Sequence, residues 1–269
     1  MLTHPTLAKL EALRLFGMLR ALNDQLQTPE CARLSFEERL GLLVDREATD
    51  RENQRLAARL KRARLRQAAA PEDVDFRHPR GLDRTHFLSL CSCQWLKNRD
   101  NLLITGPTGV GKTYLACALA QKACREGYTA HYARTGRLLG ELSLARADGT
   151  YPQRLSALGR FDLLVLDDWG LTPLSDEGRR ELLEILDERY DRCSTLVASQ
   201  LPVENWHESL ADPTLADAIL DRLVHNAYRI PLHGESMRRQ RARNREAGEP
   251  SPPRTDEASR DASQEPEEE

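Results

Sequence analysis

One stretch limits what this chain can fold into more than any other: Gly106-Pro107-Thr108-Gly109-Val110-Gly111-Lys112-Thr113. Two glycines frame a four-residue spacer, and a lysine and a threonine follow at once. An apolar run, Leu102-Leu103-Ile104-Thr105, leads in, and Tyr114-Leu115-Ala116-Cys117-Ala118-Leu119-Ala120 leads out with helical character. Strand, tight turn and helix in that order make a phosphate cradle. Glycines let the backbone curl so that its N–H groups point inward at phosphate oxygens. The helix that follows puts its positive end under them. Lys112 is expected to reach the β- and γ-phosphates, and the Thr113 hydroxyl to ligate Mg²⁺. The loop residues Gly106 to Thr113, with Tyr114 beside them, are the expected contacts of a nucleotide such as ATP.

A phosphate loop needs an acidic partner on a neighbouring buried strand, and Asp162-Leu163-Leu164-Val165-Leu166-Asp167-Asp168 supplies one. Asp167 is expected in the Mg²⁺ shell, and Asp168 to orient the attacking water. A further apolar run, Thr195-Leu196-Val197-Ala198, ends in Ser199-Gln200. If that strand lies between the other two, Gln200, with Ser199 beside it, faces the γ-phosphate. Expected strands are 101–105, 129–133, 162–166, 195–198 and 227–231. Helical patterns fill 84–98, 112–126, 135–147, 175–192 and 214–225. Strands alternating with helices predict an α/β domain, a parallel sheet with helices on both faces.

Other regions differ in composition. Residues 1–69 read as a small all-helical N-terminal domain, with helical periodicity over 6–69. Thr28-Pro29 interrupts it, and Ser35 followed by Glu37 and Glu38 marks the start of a long helix. Residues 70–83 hold two prolines and a glycine and read as a linker into the α/β domain, 84–245. Residues 246–269 carry nine acidic and two basic residues, and no aliphatic side chain larger than alanine, a composition that predicts a disordered acidic tail.

The formal charge of −3 over 269 residues hides a strong division. The tail accounts for −7, so residues 1–245 carry +4. Residues 51–66 hold seven basic residues against one acidic residue. Arg51, Arg55, Arg59, Arg62 and Arg66 fall within roughly 80° of a helical wheel, a row about 22 Å long. Leu56, Leu60 and Ala63 form the adjacent packing stripe. Such a row suits successive phosphates of duplex DNA, while the acidic residues of 37–52 compete for the same guanidiniums.

Two arginines draw attention in the C-terminal half. Arg222, in the amphipathic run 217–223, can act as a finger toward a neighbouring subunit's γ-phosphate. Arg238, after Gly234-Glu235-Ser236-Met237, can touch the phosphates of its own subunit. The six cysteines are scattered and complete no zinc pattern, which favours buried thiols in a reducing, cytoplasmic setting. No apolar run of about 18 residues offers a transmembrane helix, so no membrane partner is expected. Charges throughout the first 30 residues do not fit a signal peptide.

Taken together these motifs resemble the AAA+ ATPases, and more narrowly the IstB family, helper proteins encoded beside the transposase in bacterial insertion sequences. The stretches that carry the likeness are LSFEERL (34–40), RGLDR (80–84), GPTGVGKTYLACALA (106–120), LLVLDDWGL (163–171), ASQLPVENWHE (198–208), LADAILDRLVHNA (215–227) and GESMR (234–238). The resemblance implies an AAA+ P-loop NTPase core behind a helical domain. It implies ATP and Mg²⁺ as cofactors, homo-oligomerisation on duplex DNA and recruitment of a partner transposase. It assigns Lys112 and Thr113 to nucleotide and Mg²⁺, Asp167 and Asp168 to Mg²⁺ and water, Gln200 to a first sensor and Arg222 to a finger in trans. Asp168 stands where the AAA+ pattern has Glu, which fits a slow switch. The chain leaves little room for a helical lid after 233, which weakens a second-sensor role for Arg238. A loader of a replicative helicase, like DnaC, is the alternative, and an adaptor that binds nucleotide with negligible hydrolysis is a third reading.

Overall fold

The computed structural model describes residues 5–237 and 239, in two compact units, Met1–Lys61 and Arg62–Glu269. The acidic tail, 246–269, and Arg238 lie outside the described residues.

In the first unit α1 (Pro5–Ala12) and α2 (Phe16–Gln27) precede a short 3₁₀ turn, Pro29–Arg33, and then the long α3 (Phe36–Ala63). Ser35 and Glu38 form a reciprocal cap: the Glu38 N–H donates to Ser35 Oγ at 3.2 Å, and the Ser35 N–H donates to Glu38 Oε2 at 2.8 Å. The helices α2 and α3 meet at Gly17, where an added Cβ would lie 2.6 Å from Glu47 Cα. Glu47 closes that crossing by accepting from the Gly17 and Met18 N–H groups at 2.8 and 3.2 Å. It thereby satisfies N–H groups in the first turn of α2. Burial works against the charge, but these bonds and Arg51 hold the Glu47 carboxyl below its ordinary value.

The second unit is built on five parallel strands, β1 (Asn101–Thr105), β2 (Ala130–Arg134), β3 (Leu163–Trp169), β4 (Ser194–Ser199) and β5 (Ala227–Pro231). Their order is β2-β3-β4-β1-β5, which sets β4 between the P-loop strand and the acidic strand, as the position of Gln200 requires. Parallel neighbours need crossovers, and helices supply them. The chain runs α4 (Arg84–Leu90) and α5 (Gln94–Asn98) into β1, α6 (Lys112–Arg125) into β2, and α7 (Thr135–Ala147) and α8 (Tyr151–Gly159) into β3. Then α9 (Asp176–Arg189) leads to β4, and α10 (Trp206–Leu210) and α11 (Pro213–Val224) lead to β5. Leu102, Leu103, Ile104, Leu163, Leu164, Val165, Leu166, Leu196 and Val197 are wholly buried, as expected of strands covered on both faces.

Several expected boundaries shift. The pattern over 84–98 is two helices, because Cys93 takes a left-handed conformation (φ 57°) without a glycine or proline to announce it. Two short helices, α8 and α10, were not expected. Pro152 stands in the first turn of α8, and the Trp206 indole N–H donates to Leu201 O at 3.0 Å to anchor α10. β3 runs past 166 through Asp167 and Asp168 to Trp169, with a register shift against β4 at those two residues. The helical reading of 6–69 also overshoots: α3 ends at Ala63, and Arg64 turns left-handed (φ 51°).

Candidate nucleotide-binding site

The C-terminal edge of the sheet collects the loops that carry chemistry. At the tip of β1 the loop 106–111 turns into α6, and Gly111 is the N-cap residue with φ 98°. Only glycine enters that conformation readily. A Cβ there would also fall 2.4 Å from Arg80 Nη1. Arg80 is 2% exposed and donates from Nη1 to Val110 O at 2.9 Å and from Nη2 to Asp75 O at 2.9 Å. Burial lowers its pKa from the usual arginine value. The connection 70–83 is thus stitched to the back of the loop rather than slack. Beyond β5, the His233 N–H donates to Arg80 O at 2.9 Å and the Met237 N–H to Gly109 O at 3.0 Å, so the GESM stretch adjoins the loop too.

Lys112 Nζ donates to Gly106 O at 2.7 Å and Pro107 O at 2.8 Å, folded back on its own loop. Thr113 Oγ1 donates to Asp167 Oδ2 at 2.8 Å, joining the start of α6 to the tip of β3. Thr108 Oγ1 donates to Gln200 Oε1 at 2.6 Å, joining the loop to the residue after β4. The expected loop, acidic and amide residues therefore converge. Ser199, by contrast, is fully buried and spent on structure, donating to Trp169 O at 2.9 Å and accepting from the Leu201 N–H at 3.0 Å.

Asp167 is 1% exposed and densely bonded. Besides Thr113, the Tyr132 hydroxyl donates to Oδ2 at 2.6 Å and the Asp168 N–H to Oδ1 at 2.9 Å. Burial, and then the Asp167 charge, push the Tyr132 phenol well above its ordinary pKa, so it stays a donor. Asp168 sits at φ 57°, a left-handed position that an aspartate tolerates better than most residues. That turn separates the two carboxylates. Asp167 faces inward, whereas the Asp168 side chain is 29% exposed. A hydroxyl beside a carboxylate is a hard-oxygen donor pair of the kind Mg²⁺ takes alongside phosphate and water. Thr113 and Asp167 would hold such an ion, and it would supply charge neutralisation for the phosphates. No group of three or more His, Cys, Asp or Glu among the described residues makes a protein-only metal site.

Two cations that sequence reasoning did not place here face the acidic pair. Arg134 at the end of β2 puts Nε 3.6 Å from Asp168 Oδ2. Its register partner in β3 is Asp167, so a correct strand order would have flagged it. Arg66 puts Nη1 3.7 Å from Asp167 Oδ2 and 3.7 Å from Asp168 Oδ2. Although burial opposes it, Tyr132 and the two aspartates raise the Arg66 pKa. This revises the expected five-arginine row. Arg66 lies beyond α3 and is turned to the acidic pair, because the helix stops at Ala63.

The rest of the row stands on α3 in part as acidic pairs. Arg51 Nε is 2.6 Å from Glu47, and Arg55 and Arg59 both face Glu52, at 3.9 and 2.7 Å. Arg62 is exposed. Arg222 lies at the other end of the sheet from the P-loop. Its backbone carbonyl accepts from Asn101 Nδ2 at the start of β1, its guanidinium pairs with Asp187 on α9, and Nη1 donates to Ala218 O at 2.7 Å.

A parallel sheet with a P-loop, an acidic strand one strand removed and a polar amide between them define a P-loop NTPase core of the AAA+ type. The chain belongs to the IstB-like ATP binding protein family, whose model matches residues 8–245. It is 54% identical over 243 residues to an insertion sequence ATP-binding protein of Sinorhizobium fredii, covering 90% of this chain and 99% of that one. Among solved structures, DnaI superposes with a TM-score of 0.52 at 24% identity, over 62% of this chain and 92% of the other. AMPPCP-bound DnaA from Aquifex aeolicus superposes with a TM-score of 0.53 at 17% identity, over 72% of this chain and 59% of that one. None of the helices among the described residues is long and apolar enough to cross a membrane.

Proposed function

We propose that this chain is a cytoplasmic, Mg²⁺-dependent ATPase that assembles on duplex DNA and assists a partner transposase in choosing target DNA. The observation that carries the reading is the contact of Thr113 with the buried Asp167 beneath the P-loop, in a family of insertion sequence proteins. On ATP binding, Lys112 exchanges the Gly106 and Pro107 carbonyls for phosphate oxygens. Asp168, turned out of the strand, orients the water whose oxygen attacks the γ-phosphorus while the bond to the bridging oxygen breaks. Gln200, already on Thr108, reads the γ-phosphate position. Arg222 cannot serve its own loop from the far end of β1, about 13 Å away along five strand residues. A role in hydrolysis makes it a residue given to a neighbour, so the sites are shared between subunits of a homo-oligomer. Arg238 is retained as a phosphate contact on the strength of the GESM stretch beside Gly109.

Arg51, Arg55, Arg59 and Arg62 on α3 are the proposed duplex contacts, exchanging Glu47 and Glu52 for phosphates. Relatives at 54% and 51% identity carry insertion sequence names, which favours a transposase over a replicative helicase as client. The test is ATP turnover and oligomer size with and without duplex DNA. Both should rise with DNA. Values unchanged by DNA would sink the proposal.

A further inference from the structure

The basic run 51–66 ends on the acidic pair of the nucleotide site. Ala63 closes α3, Arg64 is left-handed, and Arg66 follows in a stretch without regular structure. Its guanidinium lies 3.7 Å from both Asp167 Oδ2 and Asp168 Oδ2, beyond hydrogen-bond length, so charge ties it to the two carboxylates, with the Tyr132 hydroxyl as a further partner. The side chain remains 35% exposed, so solvent and other anions can reach it.

The groups around this pair come from α6, β2 and the segment after α3. Thr113 of α6 and Tyr132 of β2 donate to Asp167, Arg134 of β2 faces Asp168, and Arg66 faces both. Two carboxylates are thus met by two guanidiniums, which cancels the negative charge that would draw a divalent cation. Arg134 is fixed on a strand, whereas Arg66 sits on a short segment leading from the proposed DNA helix. A duplex phosphate offers Arg66 the same bidentate partner as a carboxylate.

We infer that Arg66 is a DNA-operated latch: it competes with Mg²⁺ for the Asp167–Asp168 pair, and duplex phosphates draw it away. The second half of this inference rests on the duplex binding proposed above. DNA then raises ATP turnover by uncovering the cation site, alongside the Arg222 that assembly brings from a neighbour.

The experiment titrates Mg²⁺ against binding of a fluorescent non-hydrolysable ATP analogue to the full chain, with and without duplex DNA. Arg66→Ala and Arg66→Lys are compared with the native protein, and duplex binding is read separately by anisotropy. Without DNA, Arg66→Ala should lower the Mg²⁺ midpoint about fivefold, the worth of a partly exposed ion pair, and leave Mg²⁺-free analogue binding unchanged. Arg66→Lys keeps the charge and should stay near the native midpoint. DNA should lower the native midpoint and leave that of Arg66→Ala where it is. An unchanged or raised midpoint in Arg66→Ala without DNA overturns the competition. A DNA-induced shift that survives in Arg66→Ala overturns the release by DNA. Absence of duplex binding by the native protein refutes the functional reading and the release with it, while the DNA-free midpoints still decide the competition.

Discussion

Tyr132→Phe removes one hydroxyl from the centre of the site, which meets both Asp167 and Arg66. The hydroxyl donates to Asp167 Oδ2 at 2.6 Å, and Tyr132 is 8% exposed, so water replaces it poorly. The ring stays, so no large cavity opens. A hydrogen bond to a charged acceptor contributes about 1.5–3 kcal/mol. The low end applies here, because Thr113 and the Asp168 N–H remain on Asp167. A loss of about 1.5 kcal/mol should lower the midpoint of thermal unfolding by about 3–6 °C for a domain of this size. The same change should strengthen Mg²⁺-dependent nucleotide binding, because Asp167 loses a competing donor. Differential scanning fluorimetry reads the first effect and a Mg²⁺ titration with a fluorescent ATP analogue reads the second. Opposite signs support the account. If stability and Mg²⁺ dependence both worsen, Tyr132 orients Asp167 for the ion rather than competing with it, and the reasoning fails.

Three further outcomes are expected. Asp168→Asn should abolish most phosphate release yet keep nucleotide binding, whereas an adaptor with negligible hydrolysis would show no change. Arg222→Ala and Lys112→Ala should each be inactive alone and regain partial turnover when mixed, since each supplies what the other lacks; failure to recover in mixtures argues against a shared site. Glu47 has its pKa held below the ordinary value of 4.5, so its contribution to the first unit is full above that value and is lost as pH falls through the lowered one. Helical ellipticity of the native chain should therefore fall on acidification, and Glu47→Gln should start lower and flatten that dependence.

The sheet was legible because its strands are short apolar runs between strong punctuation, and five of five appear within a few residues of where pattern alone puts them. The P-loop was legible because its constraint is local: glycines, a lysine and a threonine in fixed order. What escaped was set by tertiary charge and by left-handed residues without glycine. Arg64, Cys93 and Asp168 all take positive φ, and nothing in their neighbours' side chains announces it. Arg80 stood within a matched family stretch without a role, since its partners, Val110 O and Asp75 O, are backbone atoms that leave no sequence signal. Arg66 fitted a helical row on spacing alone, and only the early end of α3 takes it elsewhere.

Charge gives the same lesson in physical terms. A net −3 describes neither end of this chain, and a run of seven basic residues does not describe one surface. Glu47 and Glu52 already hold three of the arginines on α3, and Asp167 and Asp168 hold a fourth from the same run. Any polyanion that engages the run must exchange these carboxylates for its own phosphates. The exchange frees acidic groups in two places, on the helix and at the nucleotide site. Glu52 on the helix is open to solvent, so its release costs little, and buried Glu47 keeps the Gly17 and Met18 N–H groups when Arg51 leaves. Asp167 is nearly sealed, so its uncovered charge needs a new cation. Under the proposed latch, that asymmetry makes binding of DNA and binding of a divalent ion favour each other, a reciprocity that linkage requires in both directions.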